Sequence, residues 1–449
     1  MKKVLVVIFM FIFLFTGVSC GNQDLNYIQK EAEEQYKLSY EERLEEGYVN
    51  FKNKLDSFYA KFSEETYKYF GSNNTNLCVS PVSVYMALAL TIECSSGETR
   101  NEILEAIGVT YDEVRTYTKR LFSECNKEYK EENMLGNEKI KALELLTNSI
   151  WFNEGLELEE VGLTNLAKDY NCSSFSAPFE TKNKQANKAL RDFVSRNTKG
   201  LIDRDFQLGV DTLIALVNTL YLKEIWNDDG DDLPFTNNSY TFTNYDLSTK
   251  ELALLRGYYN TGRVVTEEKF SHFYTTTNHG FRIKFIVPNQ NYTIDDIYTE
   301  EVLSYVNNVT DYKAVNDEEK TIASTRVFFP EFKGSFNEDI IPVIQKGFGI
   351  KSLFNYKTCD FTGIINPEQY LDKYEGIYCS KIIHQTELIV DKTGIEGAAV
   401  TIVAMDGAES AGPDEYEYVY FDYIIDQAFA YIITDYSGIV LFTGVVKNV

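Results

Sequence analysis

The chain has 449 residues, 68 acidic and 43 basic, with a formal net charge of −25. A 44% apolar share, with 32 Tyr and 30 Phe, supports a large core and excludes a mostly disordered chain. This charge repels phosphate backbones and therefore excludes nucleic acid as a partner. The three histidines lie far apart and no Cys-x-x-Cys motif occurs, so we expect no metal site and no cofactor.

The N-terminus has the layout of an export signal. Two lysines precede an apolar run over residues 4–15, which is too short to span a bilayer comfortably. The small residues before Cys20 resemble a bacterial lipobox, in which residues 1–19 are removed as a signal peptide and Cys20 is acylated. An ordinary signal peptide cut near Ser19 is the alternative. Both predict export, either as an outer-membrane or cell-surface lipoprotein or as a secreted protein, with Cys20 the only membrane attachment.

Helix signals dominate the first part of the mature chain. Residues 24–44 are charge-dense, which predicts a tether or an exposed helix, and we assign 20–44 as a tether followed by one domain over 45–449. Apolar residues recur at helical spacing from 47 to 69, and Ser80-Pro81 has the form of a helix start. Further signals are a capping box from Thr99 to Glu102, a C-cap glycine at 108 and a helix over about 181–197.

Strand signals dominate the rest, and the last of them breaks at a turn over 435–438. Runs of β-branched and aromatic residues cover 213–222, 280–287, 325–329, 381–390 and 429–446. Early helices and late strands indicate an α+β fold. Without an internal repeat or a Gly/Pro/Ser-rich linker, one large domain fits better than several.

Several short segments, in this order and spacing, resemble the serpin family. They are residues 76–83 (NLCVSPVS), 97–104 (GETRNEIL), 216–223 (LVNTLYLK) with Trp226, 360–364 (DFTGI), 426–429 (DQAF) and 441–444 (LFTG). The resemblance covers roughly 45–449. It implies a large mixed β-sheet A, two smaller sheets, about eight or nine helices and an exposed reactive-centre loop. It also implies a monomer that acts as a suicide substrate for proteases and is not an enzyme.

In such an inhibitor, the protease cuts the exposed loop, which then enters the main sheet as a new strand and carries the acyl-enzyme with it. The expected hinge is Gly394, Ile395, Glu396, Gly397, Ala398, Ala399, Val400 and Thr401. As a strand, the alternate residues from Ile395 to Met405 form one uncharged face, and no proline interrupts the segment. A permanent core strand is the alternative, but the very polar residues 406–415 that follow must be solvated.

The family's usual count from the hinge glycine places the reactive bond between Ala408 and Glu409. Cleavage after Met405 or Asp406 is the alternative, because the register of the loop tip is not fixed by sequence. A small bait residue favours an elastase-like or subtilisin-like extracellular serine protease as the partner, with cysteine proteases a further class. Trypsin-like proteases are excluded because no Lys or Arg occurs between Thr393 and Lys447.

The resemblance also assigns positions inside the large sheet. Ser80, Ser83, Asn218 and His384 match the shutter, polar residues under the sheet centre that hold two strands until the loop enters. Trp226 matches the aromatic residue of the breach, at the top of the sheet where insertion begins. Core packing would explain Trp226 equally well. For His384 a structural role and a role in the shutter are the same, because holding the two strands together is what the shutter does.

The chain departs from the family pattern at three positions. Lys392 stands where many members carry Glu, so we expect a common salt bridge at the top of the sheet to be absent. Ile395 replaces the usual Thr or Ser at the first inserting position, and Ala428 replaces a proline. These changes bear on the metastability and the insertion rate, not on the fold.

The sequence also bears on two other functions. A non-inhibitory serpin, acting as a binding or chaperone protein, is the alternative, although the hinge lacks the charges and prolines that mark many such members. A hydrolase is excluded because no Gly-x-Ser-x-Gly motif occurs, so no catalytic residues are expected. The extra Tyr-rich segment 415–420 is either a secondary contact for a protease, or a longer loop or extended strand.

Overall fold

The computed structural model describes residues 27–132, 138–226, 232–366, 368, 375–396 and 416–449. Ten α-helices lie in these ranges: α1 (Tyr40–Arg43), α2 (Glu46–Phe70), α3 (Pro81–Cys94), α4 (Gly97–Ile107), α5 (Tyr111–Glu124), α6 (Glu160–Asp169), α7 (Asn183–Asn197), α8 (Ile294–Ile297), α9 (Glu300–Asn308) and α10 (Ile341–Phe348). The family resemblance implied about eight or nine. The difference arises because α1 and α8 are single turns of four residues, too short to show helical periodicity.

The helix boundaries follow from local sequence. Pro81 occupies the first turn of α3, where a missing N–H costs nothing. Gly108 ends α4 in the left-handed conformation, with φ of 80°. The predicted capping box from Thr99 to Glu102 is wrong, because α4 already begins at Gly97. Thr99 is buried, and its hydroxyl accepts from the backbone N–H of Asp360 at 3.0 Å.

The strands alternate with the helices and then dominate the second half of the chain. They are β1 (Ile28–Lys30), β2 (Leu77–Val79), β3 (Asn126–Glu132), β4 (Glu138–Asn153), β5 (Cys172–Ala177), β6 (Ile214–Ile225), β7 (Tyr240–Thr243), β8 (Thr249–Leu252), β9 (Leu255–Thr261), β10 (Val265–Thr266), β11 (Phe270–Thr276), β12 (Arg282–Pro288), β13 (Val315–Asn316), β14 (Thr321–Phe329), β15 (Phe332–Asp339), β16 (Ile383–Val390), β17 (Gly394–Glu396), β18 (Glu417–Ile424), β19 (Phe429–Thr434) and β20 (Val440–Val446).

The strands given above form three sheets, a large mixed one and two smaller ones, as the resemblance implied. Fourteen strands form the large sheet in the order β1-β5-β4-β6-β17-β16-β15-β2-β20-β19-β12-β11-β10, with β3 paired to β4. A single residue pair, Ser335 with Leu77, joins β15 to β2. The second sheet contains β9, β13, β14 and β18, and the third is the hairpin of β7 and β8. The α+β fold class is thereby confirmed.

The order β6-β17-β16 positions the candidate site. β6 runs antiparallel to β4, and β16 runs antiparallel to β15. In the described part of the chain, only the three residues of β17 lie between β6 and β16. Beneath the sheet, α3 places the fully buried Val82, Tyr85 and Met86 in the core. The space below β17 therefore lies between the long strands β6 and β16, with the buried helix α3 beneath it.

Part of the predicted tether belongs to the folded domain. Residues 28–30 form the edge strand β1, which pairs with β5. The Nζ atom of Lys30 donates to Thr164 at 2.9 Å, and the backbone N–H of Glu33 donates to the carbonyl of Ala167 at 3.1 Å. Packing on α6 and β5 thus orders a segment whose own sequence has little apolar character, and the domain starts before residue 45.

The segment that follows the loop forms β18, which pairs in parallel with β14 over its whole length. The second half of the Tyr-rich segment therefore lies in a strand, which is one of the interpretations given above. β19 and β20 follow as completely buried strands, and β20 also pairs with β2. The two ends of the domain are thus joined in one core.

Candidate functional site between two strands of the large sheet

The first three predicted hinge residues lie inside the sheet. The Cα partners of Ile395 are Glu224 in β6 and Val390 in β16. Ile395 is fully buried, whereas Glu396, on the opposite face, is half-buried. At Gly394 the backbone approaches β6 so closely that a Cβ atom would lie 1.9 Å from the Glu224 carbonyl oxygen. Only glycine fits at this entry point without displacing β6.

Below β17, the facing edges of β6 and β16 have no strand between them in the described part of the chain. A cavity of about 320 Å³ occupies this position, and we call it the slot. Its walls include Leu216, Asn218 and Leu220 of β6 and His384 and Thr386 of β16. The backbone groups along the two edges are placed to pair with one more strand.

The register of β17 predicts where a longer strand would lie. In antiparallel pairing, each step forward along the inserting strand is one step back along both neighbours. Six residues beyond Ile395, Thr401 would therefore face Asn218 on one side and His384 on the other. The period of two keeps Thr401 on the same buried face as Ile395. If the hinge continues in the register of β17, Thr401 therefore reaches the predicted shutter residues Asn218 and His384.

Three of the four shutter residues contact one another. The Ser80 backbone N–H donates to Nε2 of His384 at 3.0 Å, and the Ser80 hydroxyl donates to Ser83 at 3.0 Å. Because Nε2 accepts this bond, it carries no proton. Burial lowers the pKa of His384 to about 3, so the ring is neutral at physiological pH.

Asn218 stands apart on the opposite wall of the slot. Its amide nitrogen donates to Oδ1 of Asn148 at 2.8 Å and to the carbonyl of Thr147 at 3.4 Å, both in β4. Its own Oδ1 atom is buried and accepts no hydrogen bond. A buried acceptor of this kind is costly unless it finds a donor. The hydroxyl of Thr401 is the donor that the register would bring to it.

His384 makes the stability dependent on pH. Its folded pKa lies below the unfolded value of 6.5, so the unfolded state takes up the proton first as the pH falls. Relative to His384→Gln, the wild type is expected to lose about 1.4 kcal/mol of unfolding free energy per pH unit between pH 6.5 and 4. Urea titrations of both proteins across this range measure the difference, and parallel curves would contradict the assignment of the titrating group.

Trp226 joins the top of the slot to the turn that precedes β17. Its indole Nε1 donates to the carbonyl of Asp391 at 2.7 Å, and its ring packs on Phe329. The Asp391 carboxylate accepts the backbone N–H groups of Thr393 at 2.8 Å and Gly394 at 3.3 Å. Trp226 therefore holds the point at which the loop enters the sheet.

An ion pair is present at the top of the sheet despite the lysine at 392. Lys392 pairs with Asp232, and its backbone N–H donates to Glu331 at 3.0 Å. Both side chains of the pair are nearly half exposed, and such surface pairs contribute about 0–1 kcal/mol. The expected loss of an ion pair is thus offset by a different one, which sequence spacing did not reveal.

A buried acid–histidine pair lies at the same level and was missed from the sequence. Nδ1 of His279 lies 2.9 Å from Oε1 of Glu224, the residue opposite Ile395. Burial raises the pKa of Glu224. The two residues are far apart in sequence and each lacks a motif, so only the turn that carries His279 over β6 brings them together.

Residues 198–212, which we call the cover segment, lie against the slot. Phe206, Gln207 and Leu208 line the cavity. The guanidinium of Arg204 donates to Glu387 of β16 at 2.8 Å, and Nζ of Lys381 donates to the carbonyl of Gln207 at 3.3 Å. The cover segment is therefore tied to β16, across the slot from β6, by contacts that no motif predicts.

The remaining predicted sites lie outside the described residues. These are Gly397, Ala398, Ala399, Val400 and Thr401 of the hinge, the Ala408–Glu409 bond and Cys20. Among the described residues, no three His, Cys, Asp or Glu side chains are grouped to hold a metal ion. Of the helices given above, none has the length and apolar character that a bilayer-spanning segment needs.

The family model named Serpin (serine protease inhibitor) matches residues 57–449. The chain belongs to the serpin family. Rice Serpin-Z2A is 24% identical to this serpin over 414 residues, 83% of this chain and 91% of the relative. An uncharacterised serpin-like protein of Methanosarcina acetivorans is 24% identical over 405 residues, 86% of this chain and 84% of the relative.

Solved structures support the same fold. Serpin48 of the insect Tenebrio molitor superimposes with a TM-score of 0.68 at 20% identity, covering 89% of this serpin and 98% of that chain. Human thyroxine-binding globulin, solved with its hormone, gives a TM-score of 0.67 at 19% identity, with 89% and 99% covered. Serpins are mostly protease inhibitors, and the thyroxine-binding globulin structure holds bound hormone.

Proposed function

We propose that this serpin is a suicide-substrate inhibitor of an extracellular serine protease. The observation that carries the proposal is β17, three residues of the loop seated between β6 and β16 with the slot continuing below them. After cleavage, the freed loop extends β17 down the slot and draws the acylated protease with it. The structure supports this because the register brings an uncharged face into the buried side of the slot.

Insertion is driven by new backbone pairing. A strand between β6 and β16 gains hydrogen bonds to both neighbours, at a net ~0.5–1.5 kcal/mol each. A dozen such bonds give on the order of 10 kcal/mol. A Thr401 hydroxyl bonded to Oδ1 of Asn218 adds to this by satisfying a buried acceptor. A free-energy release of this size makes the insertion effectively irreversible.

The proposed target follows from the bait sequence. Ala408 before the cut bond fits the small specificity pocket of an elastase-like or subtilisin-like protease, and cysteine proteases are a further class. We place the inhibitor outside the cell, as a lipoprotein anchored at Cys20 or as a secreted protein, in line with residues 1–19. It would protect its owner from proteases in that space.

The alternative is a non-inhibitory serpin that binds a ligand or assists folding. Its specific support is the similarity to thyroxine-binding globulin, a serpin solved with a small-molecule ligand. The two proposals differ in what happens after the loop is cut. An inhibitor traps the protease, whereas a carrier is merely degraded.

The test mixes the protein with elastase, subtilisin and trypsin in turn. We expect an SDS-resistant complex with elastase or subtilisin and none with trypsin. The C-terminal peptide freed in SDS should start at Glu409. A start at Asp406 or Gly407 would move the cut bond to one of the alternatives. Degradation by all three proteases without a complex would overturn the inhibitor proposal in favour of the carrier.

The cover segment is expected to slow insertion. Arg204→Gln removes the contact with Glu387 across the slot, a half-exposed ion pair worth at most about 1 kcal/mol. Loop insertion should then be up to about fivefold faster, as measured by stopped-flow fluorescence of a dye on the loop. Lys188→Gln, which breaks an exposed pair with Asp192 inside α7, is the matched control and should leave the rate unchanged. Equal rates for both variants would show that the contact does not restrain the loop.

A further inference from the structure

The outward face of the second sheet carries a cluster of exposed aromatic side chains beside the loop. Tyr418 and Tyr420 of β18 are 46% and 60% exposed, and Tyr259 of β9 is 42% exposed. The rings of Tyr259 and Tyr420 lie 4.9 Å apart, and those of Tyr418 and Tyr420 lie 6.5 Å apart. Together with Arg326 of β14, these residues form what we call the aromatic face.

The orientation of β18 is fixed from its other side. Tyr423 is buried, and its hydroxyl donates to the backbone carbonyl of Ser271 at 3.0 Å. Because side chains alternate along a strand, Tyr418, Tyr420 and Asp422 must then point away from the core. Packing therefore does not require an aromatic residue at 418 or 420. A polar side chain would serve the solvated face of a strand equally well.

Arg326 organises the centre of the face. Its guanidinium donates to the Asp422 carboxylate at 3.0 Å and lies 4.7 Å from the ring centroid of Tyr259. Ser324, the residue opposite Tyr420, is small and lets the rings of Tyr259 and Tyr420 meet across β14. Tyrosine and arginine are the residue types that dominate binding energy at protein interfaces. The cluster is thus pre-assembled in the free protein.

The short chain between the proposed cut bond and β18 indicates that the protease bound at the loop is the partner of the aromatic face. Eight residues, 409–416, separate the proposed cut bond from β18, and fully extended they span at most about 28 Å. A protease domain of about 230 residues is about 45 Å across. A protease seated on the Ala408–Glu409 bond is therefore large enough to reach the aromatic face.

We infer that the aromatic face is a secondary docking surface for the target protease, on the side of the loop that follows the cut bond. The inference rests on the proposed function for the identity of the partner. The face adds contacts before the loop is cut, so it accelerates the encounter and acylation. Because β18 stays paired to β14, it takes no part in strand insertion.

The test compares Tyr418→Ser/Tyr420→Ser with the wild type. The second-order rate constant for loop cleavage, counting both complexes and nicked protein, is measured with pancreatic elastase and with subtilisin. We expect about a tenfold decrease with at least one of them and an unchanged stoichiometry of inhibition. Tyr40→Ser/Tyr356→Ser, which removes two exposed tyrosines elsewhere, should leave the rate constant unchanged. If the double variant is unstable, Tyr420→Ser alone replaces it, with a decrease of about threefold expected.

Rate constants within twofold of the wild type for both proteases would overturn the inference, as would an equal loss in the Tyr40/Tyr356 control. Failure of the proposed function gives a different result. In that case neither protease forms a complex, but the rate of loop cleavage still reports whether the aromatic face guides the protease.

Discussion

Cleavage of the loop is expected to raise the melting temperature of this serpin by about 10 °C or more. The cut loop can fill the slot, and the new pairing releases on the order of 10 kcal/mol. The unfolding entropy of about 2.1 cal/mol/K per residue gives about 0.8 kcal/mol/K for roughly 400 residues, which converts this release to about 12 °C. Calorimetry of intact and subtilisin-nicked protein measures the shift.

The intact protein is the reference in that experiment, because its slot below Glu396 is unfilled by any described strand. Equal melting temperatures for the intact and nicked forms would show that the loop does not enter the sheet. The inhibitor proposal would then fail, while the assignment to the serpin family would stand.

A second large effect is expected from two adjacent alanines. By the register of β17, Ala399 faces the buried side between Leu220 and Thr386, and Ala398 faces outward between Tyr221 and Glu387. Ala399→Arg would bury an unpaired guanidinium, at a cost of several kcal/mol. We expect the protease to cut this variant normally but to escape, raising the stoichiometry of inhibition from near one to above ten.

Ala398→Arg is the matched control, since it adds the same side chain one residue earlier. Its guanidinium would lie beside the Glu387 carboxylate, which also accepts from Arg204, so the added charge is paired and inhibition should remain close to that of the wild type. The stoichiometry is read from titrations of elastase activity with each variant. Loss of inhibition in both variants, or in neither, would show that the loop does not enter in the register that β17 sets.

Local features of the fold were predictable because their causes are local. The Ser80-Pro81 helix start, the glycine that ends α4 and the hairpin turn at 435–438 each depend on a few neighbouring residues. Thr99 shows the limit of such reasoning. Its sequence context fits a helix cap, but contact with the backbone at Asp360 places it inside the helix instead.

The candidate site was predictable only as far as its residues belong to strings shared with the family. The string at 216–223 contains Asn218 and the resemblance assigns His384 by its position, but neither shows that His384 bonds to Ser80 while Asn218 bonds to β4. The Arg204–Glu387 and Glu224–His279 contacts link residues far apart in the chain with no motif. They depend on how distant segments are laid across the sheet, which pattern and propensity do not encode.

The burial of β19 and β20 determines what a single cut produces. Both strands lie wholly in the core, and β20 pairs with β2 near the start of the domain. The fragment from residue 409 onward therefore stays lodged in the body after the chain is broken. The nicked molecule is a two-chain particle that keeps its mass on a sizing column, or gains the mass of the protease where the acyl-enzyme is trapped. In both cases each molecule reacts once and no separate fragment is left in solution.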